Sequence, residues 1–192
     1  MDFATGFLYA NGDSLLYRGV VWDSRFTVVG DAYRVDSVSP GPLYGLPKSP
    51  RYFVGNDNGT VGGAFTNDGL LMTTTRVLTE AWFGQNEYYG YGGGADQVTV
   101  HALQGSTVIG SVTLDLPDDA LGEPEVMRKM DTSSFLSLTG ITGYRIDRRT
   151  QGLYADNWVA DNFVFQSAVP EAATAWLWLC GLAALRWRPR SA

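Results

Sequence analysis

The chain has 192 residues, which is room for one folded domain of ordinary size and a terminal segment. Its formal net charge of −6 argues against a nucleic-acid partner, because a duplex-binding protein presents a clustered basic face. Its one cysteine, Cys180, excludes an intrachain disulfide and a cysteine-based zinc cluster.

The composition favours strands joined by tight turns. The chain contains 23 glycines, 10 tyrosines and 6 tryptophans. Aromatic residues are enriched in strands, and glycine is the usual residue of tight turns. We therefore expect an all-β protein.

Apolar and polar residues alternate through most of the chain, as in half-buried strands. Four early strands are predicted over 15–22, 25–29, 33–38 and 51–54. The proline-rich segment 40–50 is predicted to be a surface loop. Strand-like patterns then follow at 70–84, 97–116, 134–138, 143–147 and 158–165.

The clearest element is a hairpin over 97–116. In its first arm, Val98, Val100 and Ala102 share one face, and we expect the core-facing residues of the second arm to be Val108, Val112, Leu114 and Leu116. Gly105 lies in the turn, where a positive φ is easily adopted. The polar segment 117–131 is predicted to be a loop with one helical turn over 125–130. Nine or ten short strands in total predict two packed antiparallel sheets, a jelly-roll-like β-sandwich over 1–166.

The carboxyl end differs from the rest of the chain. Residues 172–185 carry no charge and are rich in alanine and leucine. As a helix they span about 21 Å, and 169–187 span about 28 Å, close to the roughly 30 Å of a bilayer core. The three arginines that follow favour a cytoplasmic end and a body outside the cytoplasm. The alternative is a buried C-terminal helix of a soluble protein.

This tail resembles the PEP-CTERM sorting signal of exported bacterial proteins, which membrane proteases called exosortases process. The matching residues are the motif Val169, Pro170 and Glu171, the apolar segment 175–185, and the basic stop Arg186, Arg188 and Arg190. The family usually has a second proline after the glutamate, where this chain has Ala172. The resemblance implies a sorting domain over 167–192, an exosortase-type partner, contact with membrane lipid, and delivery to the cell surface or medium.

The body also resembles the β-sandwich cargo of this family, through "VVWDSRF", "TEAWFG", "VTVHALQGSTVIGSVTL" and "VADNFVF". That likeness implies a fold and no shared activity. An exported protein needs an N-terminal signal, and "MDFATGFLYANGD" has neither a basic n-region nor an apolar h-region. We expect the true start, and a signal peptide, to lie upstream of Met1.

Aromatic residues are the candidates for ligand contact, since sugar rings stack on them. Tyr88, Tyr89 and Tyr91 lie in a predicted loop and are the candidate glycan-binding residues, with Tyr154 a further candidate. Trp82 and Trp158 lie in strand patterns and are expected in the core. The neighbouring run 90–95 fits a dinucleotide pattern, but a strand follows it where a helix is required.

No metal, cofactor or catalytic residue is predicted. Oxygen-bearing side chains at 56–58 and 67–68 suit turns better than a calcium loop. His101 is expected to face solvent on its strand, with Asp115 as a conceivable partner across the hairpin. The carboxylates Glu80, Glu87, Asp115 and Asp161 show no spacing typical of a glycosidase.

The expected role is therefore non-catalytic, structural or adhesive, at the cell surface or in an extracellular matrix. The first alternative is a module that binds extracellular polysaccharide. The second is a polysaccharide hydrolase or lyase.

Overall fold

The structure, a computed structural model, describes residues 7–9, 14–23, 26–30, 52–55, 69–85, 95–116, 127–149 and 158–167. These residues form twelve strands and one 3₁₀ helix, Ser133–Ser137. The strands are β1 Phe7–Tyr9, β2 Leu15–Tyr17, β3 Val20–Trp22, β4 Thr27–Gly30, β5 Tyr52–Gly55, β6 Leu70–Thr73, β7 Val77–Gln85, β8 Gln97–Gln104, β9 Thr107–Asp115, β10 Arg128–Asp131, β11 Gly143–Arg149 and β12 Trp158–Gln166. The all-β prediction is confirmed.

The strands form two sheets of six. The first sheet has the order β1-β4-β5-β12-β7-β10, and the second has the order β2-β3-β6-β11-β8-β9. Every strand pair is antiparallel. From β5 onwards the chain passes repeatedly from one sheet to the other, and only β8 and β9 follow each other within a sheet.

One apolar core lies between the two sheets. It takes Phe83 and Trp158 from the first sheet and Leu70 and Ile146 from the second, and each of these side chains is fully buried. Trp158 packs edge-on against Phe83, with ring centroids 5.6 Å apart. Aromatic side chains of this size dominate the energetics of a core. The predicted core position of Trp158 is confirmed.

The predicted strand over 15–22 is in fact a hairpin. Arg18 and Gly19 have φ of 50° and 78°, the positive values that a two-residue type I′ turn requires. The hydroxyl of Thr74 donates to the Gly19 carbonyl at 3.0 Å, and the Arg76 guanidinium donates to the Arg18 carbonyl at 3.0 Å. A positive φ is uncommon at arginine, so the local sequence does not indicate this turn.

Two further strand predictions, over 70–84 and 134–138, were wrong. The pattern over 70–84 is divided between β6 in the second sheet and β7 in the first. The segment 134–138 is not a strand, because 133–137 form a 3₁₀ helix that follows Asp131. The Asp131 carboxylate accepts a hydrogen bond from the Ser133 N–H at 2.9 Å, and the buried ring of Phe135 anchors the turn in the core.

The predicted helical turn over 125–130 is contradicted where the structure describes it. Arg128–Asp131 form β10, which pairs with β7 and places Met130 opposite Ala81. The pairing with β7 buries Met130. Tertiary pairing therefore overrides the local pattern.

The hairpin over 97–116 is confirmed, but Val108 does not face the core as predicted. Gly105 takes the expected positive φ of 61°. Leu103 faces Val108 and Ala102 faces Gly110, so Ile109 is an extra residue, a β-bulge. The bulge shifts the alternation by one residue, which leaves Val108 41% exposed while Val112 and Leu114 pack against the core.

The boundary at residue 166 coincides with the end of β12. The predicted strand 33–38, the loop 40–50 and the apolar segment 172–185 lie outside the described residues. Within the described ranges, no helix is long and apolar enough to cross a membrane.

Candidate functional site on the outer face of the second sheet

The outer face of the second sheet carries a continuous set of polar side chains on β11, β8 and β9. Successive side chains of a strand point to opposite faces. Because Val98, Val100 and Ile146 face the core, Thr99, His101 and Arg145 must face outwards. The sequence alternation therefore places the chemistry-bearing residues together on one side.

The strand register arranges these residues in rows. The first row runs from Arg145 on β11 through His101 on β8 to Ser111 on β9. The second runs through Asp147, Thr99 and Thr113, and the third through Arg149, Gln97 and Asp115. Neighbouring rows are about 7 Å apart, two residues along a strand.

His101 lies at the centre of a hydrogen-bonded line. Its Nδ1 is 2.7 Å from the hydroxyl oxygen of Ser111, and its Nε2 is 3.1 Å from Oδ2 of Asp147. The side chains of His101 and Asp147 are 18% and 29% exposed, and Ser111 is exposed. Solvent molecules and ligands can therefore reach one end of the line.

Asp147 is held in place by Arg145, two residues earlier on the same strand. The Arg145 Nε donates to Oδ1 and to Oδ2, both at 3.0 Å, and Nη2 lies 2.9 Å from Oδ2. Such a forked contact fixes the plane of a carboxylate as well as its position. Gly69, with φ of 73°, lies against this pair, since a Cβ there would be 3.4 Å from Cδ of Arg145.

Side-chain contacts also join residues of the other two rows. Thr99 and Thr113 hydroxyls are 2.9 Å apart, and the Gln97 amide donates to Asp115 at 2.6 Å. Arg149 donates from Nε to the Asp96 carboxylate at 3.1 and 3.2 Å, and this contact raises the pKa of Arg149. Cross-strand pairs of this kind stabilise a sheet face and fix its register.

The suggested pairing of His101 with Asp115 is wrong. Asp115 lies opposite Gln97, at the far end of the hairpin from the level of His101. The bulge at Ile109 brings Ser111 opposite His101 instead. The outward position predicted for His101 is confirmed. Asp147 was missed because nothing local to the hairpin indicates that β11 is its neighbour.

The outer face of the first sheet carries a second polar group around Trp82. Trp82 is half-buried and lies between the core residues Ala81 and Phe83, so its expected position in the core is wrong. Its indole N–H donates to Oε1 of Glu80 at 2.9 Å, and Oε2 of Glu80 lies 2.6 Å from Nζ of Lys129. The hydrogen bond from Lys129, followed by that from Trp82, holds the pKa of Glu80 below its usual value.

The candidate carboxylates do not meet in one site. Asp115 belongs to the second sheet, whereas Glu80 and Asp161 belong to neighbouring strands of the first. Asp161 is almost buried, and it accepts a hydrogen bond from the N–H of Asn162 at 2.6 Å. The register of β12 shifts here, and Asn162 has φ of 51°. The side chain of Asp161 therefore serves a local bulge of the backbone.

Several predicted site residues lie outside the described residues. These are the sorting motif Val169, Pro170 and Glu171, the arginines Arg186, Arg188 and Arg190, the tyrosines Tyr88, Tyr89, Tyr91 and Tyr154, and Glu87. In the ranges that the structure describes, no group of three histidine, cysteine or acidic side chains is placed to hold a metal ion.

Comparison with known proteins gives one structural similarity. No family model matches this chain, and no curated protein matches it. A DUF4465 family protein from Bacteroides caccae is similar in structure with a TM-score of 0.48 and 11% sequence identity, over 77% of this chain and 79% of that chain.

Proposed function

We propose that this chain is an exported bacterial surface or matrix protein with a jelly-roll-like β-sandwich body and a C-terminal sorting signal. The observation that carries the proposal is the order of elements after residue 166. A Val-Pro-Glu motif precedes an uncharged apolar segment, and three arginines follow it within five residues. An exosortase-type protease recognises the motif while the apolar segment holds the precursor in the membrane.

The charge pattern of the tail determines the orientation of the protein. Arginines at the end of a single span remain on the cytoplasmic side, so the body lies on the opposite side. Cleavage near Glu171 then releases the body, as in other anchors that are removed after insertion. The body of the chain then reaches the cell surface or the medium.

The role proposed for the body is structural or adhesive. Its support is the closed hydrogen bonding of the second sheet, where Gln97, Thr99 and His101 each contact a partner on β9. A face whose polar groups are already paired is a rigid scaffold, since its side chains have few alternative contacts. Such a body suits a matrix component that must keep its shape outside the cell.

A second candidate function is the binding of extracellular polysaccharide. Trp82 favours it, because Glu80 fixes the indole on the outer face of the first sheet, and Glu80 is itself fixed by Lys129. Tyr88, Tyr89 and Tyr91 follow the end of β7 by three to six residues. Aromatic rings and hydrogen-bonding side chains together are the chemistry that recognises a sugar.

Cell fractionation tests the sorting proposal. The full chain and a chain truncated after Ser167 are each expressed behind the same cleavable secretion signal, in a host that lacks exosortase. We expect the full chain in the membrane fraction and the truncated chain in the soluble fraction. Equal release of the two chains contradicts the proposal.

A further inference from the structure

We propose that Ser111, His101 and Asp147 form a nucleophile, a general base and an orienting carboxylate that hydrolyse carboxylic esters. A serine hydroxyl becomes a useful nucleophile when a base lies within hydrogen-bond reach and a third group orients that base. The 2.7 Å contact from Ser111 to His101 and the 3.1 Å contact from His101 to Asp147 meet both conditions. This activity goes beyond the surface role, and neither depends on the other.

The two contacts are satisfied together by one tautomer of His101. With its proton on Nε2, the imidazole donates to the Asp147 carboxylate and leaves the Nδ1 lone pair to accept the Ser111 hydroxyl proton. The serine proteases use the two ring nitrogens the other way round, but such a triad is defined by geometry and roles. The three residues come from three neighbouring strands, β9, β8 and β11.

Neighbouring residues hold the hydrogen-bonded line of Ser111, His101 and Asp147 in place. The guanidinium group of Arg145 holds Asp147 with contacts of 2.9 to 3.0 Å, and Gly69 lies against the Arg145 side chain. Arg145 therefore acts as a positioning residue. All of these residues except Gly69 lie on strands, which hold a site more accurately than loops do.

The proposed reaction has two steps. The Ser111 oxygen attacks the ester carbonyl carbon while its proton passes to His101 Nδ1. The bond from that carbon to the alcohol oxygen then breaks, and the proton on Nδ1 goes to the leaving alcohol. Water attacks the acyl-serine in the second step and gives its proton to Nδ1. The acid leaves, and Ser111 regains the proton.

The location of Ser111 indicates the class of substrate. Ser111 is exposed on β9, which is the outermost of the described strands of its sheet. An edge strand presents backbone N–H groups outside the ladder, and such groups are the usual donors to a developing oxyanion. The exposed position of Ser111 also admits an acyl group carried on a large polymer. We therefore assign small acyl esters on an extended carrier as the substrates.

A fluorophosphonate probe tests the assignment on the full chain. We expect a covalent adduct, and mass spectrometry of the labelled peptide should locate it on Ser111. This readout needs no variant, so it is independent of folding defects. Hydrolysis of p-nitrophenyl acetate should fall by at least about hundredfold in Ser111→Ala and in His101→Gln. Asp147→Asn should lower kcat and leave KM unchanged.

Thr113→Ala is the matched control, because Thr113 lies two residues from Ser111 on the same face of β9 and contacts Thr99 instead. It should keep the activity of the unchanged chain. Absence of an adduct on Ser111, or hydrolysis by Ser111→Ala at the rate of the Thr113→Ala control, overturns the assignment. Neither result bears on export or sorting.

Discussion

The hydroxyl of Tyr144 in the second sheet accepts a hydrogen bond from the N–H of Leu78 in the first sheet, at 2.8 Å. The same hydroxyl donates to the Arg76 carbonyl at 3.1 Å. Tyr144 is fully buried and crosses the core between the two sheets. It therefore bonds two backbone groups at the start of β7 and fixes the sheets relative to each other.

Replacing Tyr144 with phenylalanine should destabilise the body by about 1–3 kcal/mol, because the buried N–H of Leu78 loses its acceptor. Urea unfolding followed by tryptophan fluorescence measures the change. Tyr17→Phe is the control, since Tyr17 is 54% exposed and its loss of a hydroxyl should change the free energy of unfolding by less than about 0.5 kcal/mol. Equal stability of the two variants contradicts this account of Tyr144.

The buried hydroxyl of Tyr144 should also make the free energy of unfolding depend on pH in the alkaline range. Burial raises the pKa of Tyr144 from 10.0 to about 12. The folded protein therefore holds this proton more tightly than the unfolded chain does, and the resulting stability is complete below pH 10 and lost as the pH rises to about 12. The fall in the free energy of unfolding across this range should be smaller in Tyr144→Phe than in the unchanged chain. Parallel falls in both proteins rule out this contribution.

Gly143 and Gly110 provide a matched test of the register of the second sheet. A Cβ on Gly143 would lie 2.6 Å from the backbone oxygen of Met72, whereas a Cβ on Gly110 would lie 2.6 Å from the end of the Leu138 side chain. The backbone of β6 cannot move without losing its pairing with β11, but Leu138 can change rotamer. Gly143→Ala should therefore cost about 1–3 kcal/mol, and Gly110→Ala should cost less. Thermal unfolding of both variants measures the difference, and the reverse order contradicts the register.

The polysaccharide-binding candidate predicts losses at Trp82 on β7 and at the tyrosines that follow β7 in the sequence. Tyr89→Ala and Tyr91→Ala should each weaken binding to a responsive glycan, because each removes a ring that stacks on a sugar. Trp82→Phe should weaken binding less, because a ring remains. Affinity electrophoresis in polysaccharide gels compares these variants with Tyr17→Phe, which lies on β2 in the other sheet. Unchanged mobility of every variant removes this candidate.

Much of the fold could be predicted from the sequence, because alternation is a local property. The hairpin at Gly105, the strands over 143–147 and 158–165, and the core position of Trp158 were all expected. The turn at Arg18 was not, since its positive φ is imposed by contacts from Thr74 and Arg76 more than fifty residues away. The helix at 133–137 was missed for a different reason, since it depends on local side-chain bonds such as the one from the Ser137 hydroxyl to the Ser134 carbonyl.

The candidate site was harder to predict than the fold. His101 was singled out because it is the one histidine of the sequence. Its partners, however, depend on the bulge at Ile109 and on β11 lying next to β8. One inserted residue changes which side chain lies opposite. The position of Trp82 was missed because a short apolar segment does not show whether its strand is buried on one face or on both. Trp82 lies on the face that is not buried in the core.

The proposed membrane anchor of the precursor is the apolar segment 172–185, with the body outside the cytoplasm. Alkaline carbonate extraction of membranes from cells without exosortase tests it most directly, on the full chain behind a secretion signal. We expect the chain to remain in the pellet after extraction and its body to be digested by protease added outside intact spheroplasts. Recovery of the intact chain in the carbonate supernatant contradicts the claim.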